Sequence, residues 1–390
     1  MASSISVRAI SDVLEYGRAL LKFISPNNVG LTGSHECGYY LPKSAWGLYT
    51  PHPPKRGKNQ EHFVEILWPD GRKTNSCIKW YGVRTRSEYR LTRFGKDFPW
   101  LTAGNIGDLL VLIPTGDTSF IAHVLDLEDD IEDLQAALGI EITGTWAIYD
   151  STAPTEQLTE VECIDKHFRR FTKSLLEFPN TIAFSSETIK AFETCIRDFG
   201  QLSVDKKIMN LMDAEYKLFR IAERKLCQDQ IARLFRSVDD FLETAATIMN
   251  RRKARAGRSL ENHVEYVLRK EDIPFEVRPN IDGKPDIIIP SKMAYDDSIF
   301  PVDKLFMIGI KTTCKDRWRQ VLNEAKRVKK KHILTLQRGI SENQLLEMRN
   351  ANVQLIVPKP LHKEFPPESS MPLLTVNEFV TKVKICLGQK

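Results

Sequence analysis

Hydrophobic and polar positions along this chain change their period partway through. Up to about residue 150 the apolar positions come in short runs, alternating in Phe63-Val-Glu-Ile-Leu-Trp68 and broken by turn signals such as Pro69-Asp70-Gly71, so this half reads as β-rich. Within it, Glu128 to Leu138 has the spacing of one amphipathic helix, and a strand resumes at Trp146-Ala-Ile-Tyr149. The polar segment from Ser151 and the basic Lys166-His-Phe-Arg-Arg170 open a boundary region, with a hinge expected between 165 and 200. From about residue 203 the period becomes 3.6, predicting helices over Val204 to Leu226, Ser237 to Met249 and Ser259 to Arg269; Ser237 with Asp240 resembles a capping start. Strands at 285–289, 305–311, 332–336 and 353–357 then alternate with helices at 315–329, 342–350 and 376–387, the order of an α/β domain with a central sheet.

A length of 390 residues with 42% hydrophobic content suits two domains better than one core. The expected division is 1–170, a hinge at 171–200, and 201–390. The net charge of +5 is modest, but Arg251, Arg252, Lys253, Arg255 and Arg258 cluster, as do Arg84, Arg86, Arg90 and Arg93, which points to a polyanionic partner. Seven cysteines are scattered without metal-ligand spacing, so neither a disulfide framework nor a zinc site is expected. No window approaches the roughly 18 apolar residues of a membrane span, and a reducing, cytoplasmic setting is the expectation.

The chemistry concentrates in the second half. Asp286 follows Pro285, which holds the preceding residue extended, and opens the apolar run Ile287-Ile-Ile289; Lys311 closes a second run, Met307-Ile-Gly-Ile-Lys311. Two neighbouring strands with these ends would set a metal-binding carboxylate beside an ammonium, the pairing that phosphodiester hydrolysis needs. Mg2+ takes oxygen ligands and keeps several waters, so Asp286 and Glu324 with a phosphate oxygen would suffice, and Glu261 could hold a bound water or a second ion.

The segments Lys284-Pro-Asp286, Ile310 to Glu324 and Asn250 to Glu261 closely resemble EcoRII-type restriction endonucleases, a branch of the PD-(D/E)xK nuclease superfamily. The superfamily usually carries an acidic residue two positions before the lysine. Here that position is Gly309, and in the EcoRII-like branch the carboxylate comes from the following helix, which Glu324 matches. The resemblance implies Glu261, Asp286, Lys311 and Glu324 as the catalytic group, with Mg2+ as cofactor and Asp286, Glu324 and Glu261 as its ligands.

Lys315-Asp316-Arg317 follows directly, and its forks and acceptor suit adjacent G·C pairs in a major groove; the resemblance implies that this trio reads a CC/GG core. It also implies that central bases are flipped out of the duplex and stacked on Tyr216, with Met212 where an arginine would be expected on the other face. In the first half, Gly33 to Pro42 and Tyr81 to Gly95 resemble the family's effector domain, a DNA-binding pseudobarrel that grips the groove with two arms. Lys22 and His35 would form one arm and Arg84, Arg86, Glu88 and Arg90 the other. Together these imply a two-domain α+β protein: an N-terminal β-rich pseudobarrel, and a C-terminal α/β restriction-endonuclease-like domain with a central mixed sheet. The resemblance further implies double-stranded DNA as partner, a homodimer, a companion DNA methyltransferase that protects the host site, and regulation by a second site copy at the N-terminal domain. A modification-dependent or mismatch-type nuclease, or a DNA regulator that only binds, stays open as an alternative.

Overall fold

The structure is a computed structural model that describes residues 4–32, 37–83, 86–142, 144–152, 162–315, 317–367 and 369–389. The chain divides into two compact units. The first is Met1–Ala153 with Gln337–Glu347 and Lys363–Ser370; the second is Pro154–Leu336 with Met348–His362 and Met371–Lys390.

In the first unit α1 (Ser4–Tyr16) leads into β1 (Arg18–Phe23), β2 (Tyr39–Leu41), β3 (Gln60–Leu67), β4 (Lys73–Tyr81), β5 (Glu88–Thr92), β6 (Leu109–Pro114), β7 (Ser119–Leu125), α2 (Glu128–Leu138) and β8 (Trp146–Asp150). The strands form one curled sheet in the order β2-β5-β4-β3-β7-β6-β1-β8, antiparallel except where β3 meets β7. Side chains alternate between the faces of a strand, and β6 shows why its sequence reads as an unbroken apolar run. Leu109, Val111 and Ile113 face a core with Ala9 and Val13 of α1 and Leu134 of α2, while Leu110 and Leu112 face a second core with Tyr39, Trp68 and Trp80. The predicted helix over Glu128 to Leu138 is present with those limits, closed by Gly139 in the left-handed region at φ 61°.

In the second unit come α3 (Glu162–Ser174), α4 (Thr181–Cys195), α5 (Val204–Ala232), α6 (Val238–Lys270), β9 (Glu276–Val277), β10 (Ile287–Ile289), α7 (Lys292–Asp296), β11 (Phe306–Lys311) and β12 (Lys331–Thr335). The chain continues with α8 (Glu342–Asn350), most of which belongs to the first unit, and then β13 (Val353–Ile356) and α9 (Val376–Leu387). The sheet is mixed, in the order β13-β12-β11-β10-β9: β11, β12 and β13 run parallel, and β10 lies antiparallel between β11 and β9. Ile287, Ile289, Ile308 and Ile310 cover one face with Ile208 of α5, Leu260 and Val264 of α6 and Phe379 of α9.

Three expectations are corrected. The helices predicted over 237–249 and 259–269 are one helix of 33 residues, capped by Ser237, whose side chain accepts from the Asp240 N–H at 3.1 Å. The intervening basic residues are good helix formers, and their partners lie within the unit: Arg251 stacks on Phe178, Arg252 binds Glu223 at 2.8 Å, Arg255 lies over Tyr216 and Phe219, and Arg258 binds Glu261. Four of the five basic residues in that cluster therefore have partners within the unit. The helix predicted over 315–329 is a short 3-10 turn at Trp318–Asn323, after which Glu324 is extended and Ala325 has φ 41°. Buried Lys331 gathers the carbonyls that a helix would have bonded, donating to those of Glu324 at 2.6 Å, Ala325 at 2.9 Å and Val328 at 2.6 Å. Finally, Cys163 and Cys195 form a disulfide, against the expectation of none; their pairing joins α3 to α4 across a separation of 32 residues, which spacing alone does not disclose.

Candidate active site

β10 begins where the β9–β10 connection delivers Asp286. The Arg278 N–H donates to the Asp286 carbonyl at 2.8 Å, and Ile287 to Ile289 pair with Ile308 to Phe306 of β11. One side-chain oxygen, Oδ2 of Asp286, accepts from the Ile310 N–H at 2.7 Å and lies 3.1 Å from Lys311 Nζ. The carboxylate thus extends the β10–β11 pairing past its last ladder rung while holding the ammonium beside it.

Glu324 completes the group. Burial pushes its carboxyl up to about 7; the Lys311 charge pulls it down and the Asp286 charge pushes it up, which places it within electrostatic reach of both. Among the described residues its Oε2 is buried without a hydrogen-bond partner. A buried, unsatisfied carboxylate oxygen beside a second carboxylate is what a hard divalent cation would satisfy, so this donor set fits Mg2+.

The loop before β10 positions Glu324. Gly283 sits at φ 73°, and a Cβ there would meet Asn323 O and Glu324 Cα at 2.5 Å. Asp282 accepts from the Lys326 N–H at 2.5 Å, and its carbonyl accepts from the Ala325 N–H at 2.8 Å. Position 309 is closed to a carboxylate for a steric reason: a Cβ on Gly309 would meet Cγ1 of Val321 at 2.7 Å. The turn that carries Glu324 into the site therefore fills the place from which a strand carboxylate would project.

Glu261 is held between two arginines. Arg278 Nη2 binds its two oxygens at 3.0 and 2.7 Å, and Arg258 binds Oε2 at 2.5 Å. Its link to the site runs through Arg278, whose backbone holds Asp286 and whose side chain holds Glu261. Arg278, Gly283, Val321 and Lys331 carry no motif of their own in the sequence; the glycine two residues before Pro285 is the readable hint.

Of the readout trio, Lys315 is 7% exposed, Arg317 is half-buried at the start of the 3-10 turn, and Asp316 lies outside the described residues. Arg319 is exposed, stacked on Trp318. Tyr216 is half-buried under the Arg255 guanidinium, 5.5 Å from its ring centroid. Met212 is 1% exposed within the core and accepts from Ser259 Oγ at 3.4 Å, so it offers no open stacking face here.

In the first unit Lys22 is 3% exposed, and its ammonium donates to the Phe23 carbonyl at 3.2 Å. Burial lowers its pKa to about 8, Glu364 raising it and Lys363 lowering it further. Arg86 is exposed and lies over the Tyr81 ring, while buried Arg90 binds Glu88 at 3.0 Å. His35 and Arg84 lie outside the described residues.

Two family models match the chain: Restriction endonuclease EcoRII, N-terminal, over residues 15–144, and EcoRII C terminal, over residues 219–380. A metal-depleted Ecl18kI complex with uncleaved, modified DNA aligns at TM-score 0.46 and 19% identity, covering 57% of this chain and 83% of that one. A PspGI–substrate DNA complex aligns at 0.44 and 12%, covering 54% and 94%. The Type II restriction enzyme EcoRII of Escherichia coli is 30% identical over 393 residues, 93% of either chain. On that extent of similarity, the chain belongs to the EcoRII family of Type II restriction endonucleases, site-specific hydrolases of DNA.

Proposed function

We propose that this endonuclease hydrolyses phosphodiester bonds of double-stranded DNA at a short CC/GG-containing site with Mg2+. The observation that carries the reading is Lys311 Nζ at 3.1 Å from Asp286 Oδ2, with the orphaned Glu324 oxygen close by. Asp286 and Glu324 would hold Mg2+, with Glu261 available to a bound water. The ion would supply Lewis-acid charge at the scissile phosphate. Lys311 orients the attacking water for in-line displacement and offsets the negative charge that builds on the phosphorus oxygens. Asp286, pinned by the Ile310 N–H, keeps Lys311 in place.

The reading assigns residues 1–170 to an effector domain, 171–200 to a hinge and 201–390 to the nuclease. Lys22, His35, Arg84, Arg86, Glu88 and Arg90 would contact a second site copy that regulates cleavage. Lys315, Asp316 and Arg317 would read the C·G pairs, and Tyr216 would stack a flipped base. A homodimer would cut both strands, and a companion methyltransferase would protect host sites.

The test is cleavage of unmethylated phage DNA with Mg2+, followed by sequencing of the fragment ends, on substrates with one and with several sites. Discrete ends sharing a CC/GG motif, cut faster on multi-site DNA, are expected. Asp286→Ala and Lys311→Ala should lower cutting by about a thousandfold or more while binding in Ca2+ persists; undiminished cutting by either rejects the site, and cleavage confined to modified DNA rejects the specificity.

A further inference from the structure

Outside the nuclease site, Cys163 and His167 stand one turn apart on α3, and Cys195 ends α4 beside them; one ligand atom from each lies within 4.8 Å of the others. Cys163 is exposed, and His167 and Cys195 are half-buried, so the cluster opens to solvent. Glu187 Oε1 approaches His167 Nδ1 at 3.4 Å, the carboxylate partner that metal-bound histidines ordinarily have. Just inward, Ile164 and Phe168 of α3 pack on Phe184 and Phe192 of α4, so the two backbones are held in place by a core that does not depend on the sulfurs.

We propose that Cys163, His167 and Cys195 form a Zn2+ site when the two cysteines are reduced, the disulfide being its oxidised alternative. Two thiolates and an imidazole are the donor set of zinc and of soft divalent ions, and Mg2+ does not compete for it. Tetrahedral zinc with bonds of about 2.3 Å to sulfur sets its two sulfurs about 3.8 Å apart, so the two sulfurs, bonded to one another in the disulfide, draw apart as the ion enters. A dithiol reductant opens the disulfide, giving its two electrons and two protons to Cys163 and Cys195 and becoming a disulfide itself. Zn2+ then displaces one proton from each thiol as the two sulfur bonds form, and water completes the coordination at the exposed edge. Either state ties α3 to the end of α4, so the tether survives in reducing and oxidising surroundings alike, provided zinc is present in the first.

The test uses the full-length protein, reduced and stripped of metal, in the Glu324→Gln background so that the nuclease site contributes little. Titration with Co2+ should give, at one equivalent, the near-ultraviolet absorption of thiolate bound to cobalt, bleached by Zn2+ and untouched by excess Mg2+. Cys163→Ser or Cys195→Ser should abolish that absorption, His167→Gln should weaken cobalt binding about tenfold or more, and Cys386→Ser should leave it unchanged. As a check that needs no variant, Zn2+ should slow alkylation of Cys163 and Cys195 in the reduced chain. Absence of the thiolate absorption, its survival in the Cys163→Ser chain, or alkylation indifferent to Zn2+ would each overturn the proposal.

Discussion

The backbone N–H of Arg278 donates to the carbonyl of Asp286 at 2.8 Å, while the Arg278 guanidinium grips Glu261. Through this residue a carboxylate on a long helix is referred to a carboxylate at a strand end. Arg278→Ala should therefore leave the Asp286–Lys311 pair intact and leave Glu261 held by Arg258 alone, lowering the single-turnover cleavage rate about tenfold with little change in DNA affinity. Rates equal to those of the native chain would show that Glu261 contributes nothing through this link.

Gly283→Ala adds a methyl group where Asn323 O and Glu324 Cα already stand at 2.5 Å from the new carbon, at a φ of 73°. Glu324 must then shift. A displacement of about 1 Å at a catalytic carboxylate can reduce the rate about a hundredfold, so cleavage should fall by that order while site binding in Ca2+ is retained.

Glu324 predicts a pH dependence of stability. Its folded carboxyl titrates at about 7 against an ordinary 4.5. Between these values the unfolded chain has released its proton and the folded chain still holds one, so stability declines as pH rises from 4.5 to 7 and stays low above. Without divalent metal, Glu324→Gln should be more stable than the native chain by about 2 kcal/mol at pH 8, with the gap closing near pH 4. Thermal unfolding at the two pH values measures this. An equal gap at both would assign the effect to packing.

Lys22 has the opposite sign. Its folded pKa of about 8 lies below the ordinary 10.5, so the unfolded chain holds the extra proton between them and stability rises with pH across that interval. Lys22→Met should stabilise the native chain by about 1–2 kcal/mol at pH 7. The same variant should weaken activation by a second DNA site. Activation unchanged in a stabilised variant would remove Lys22 from the DNA contacts.

Much of this architecture could be read from the chain because its signals are local. The triple isoleucine after Asp286 and the run ending at Lys311 are buried strands because both faces are covered, and Glu128–Leu138, Glu342–Asn350 and Val376–Leu387 carry helical spacing to their ends. What failed to show depends on partners distant in sequence. The apolar pattern over 315–329 is compatible with a helix, but Gly283 presses on that segment's backbone and Lys331 takes its carbonyls. The Asp286–Lys311 contact follows from adjacent strands, whereas the hold of Arg278 on Glu261 follows from a loop conformation that no spacing encodes. The Cys163–Cys195 pairing likewise depends on how α3 folds against α4.

Gly309 and Val321 carry an implication for how such sites change over generations. A carboxylate can reach Lys311 from position 309 or from position 324, but Val321 occupies the volume that the first route would need. Aspartate at 309 alone would dislodge a buried valine and crowd a third negative charge against one ammonium; loss of Glu324 alone would remove one of the two carboxylates proposed to hold the metal. Exchanging one position for the other therefore involves Val321 as well as the two carboxylate positions.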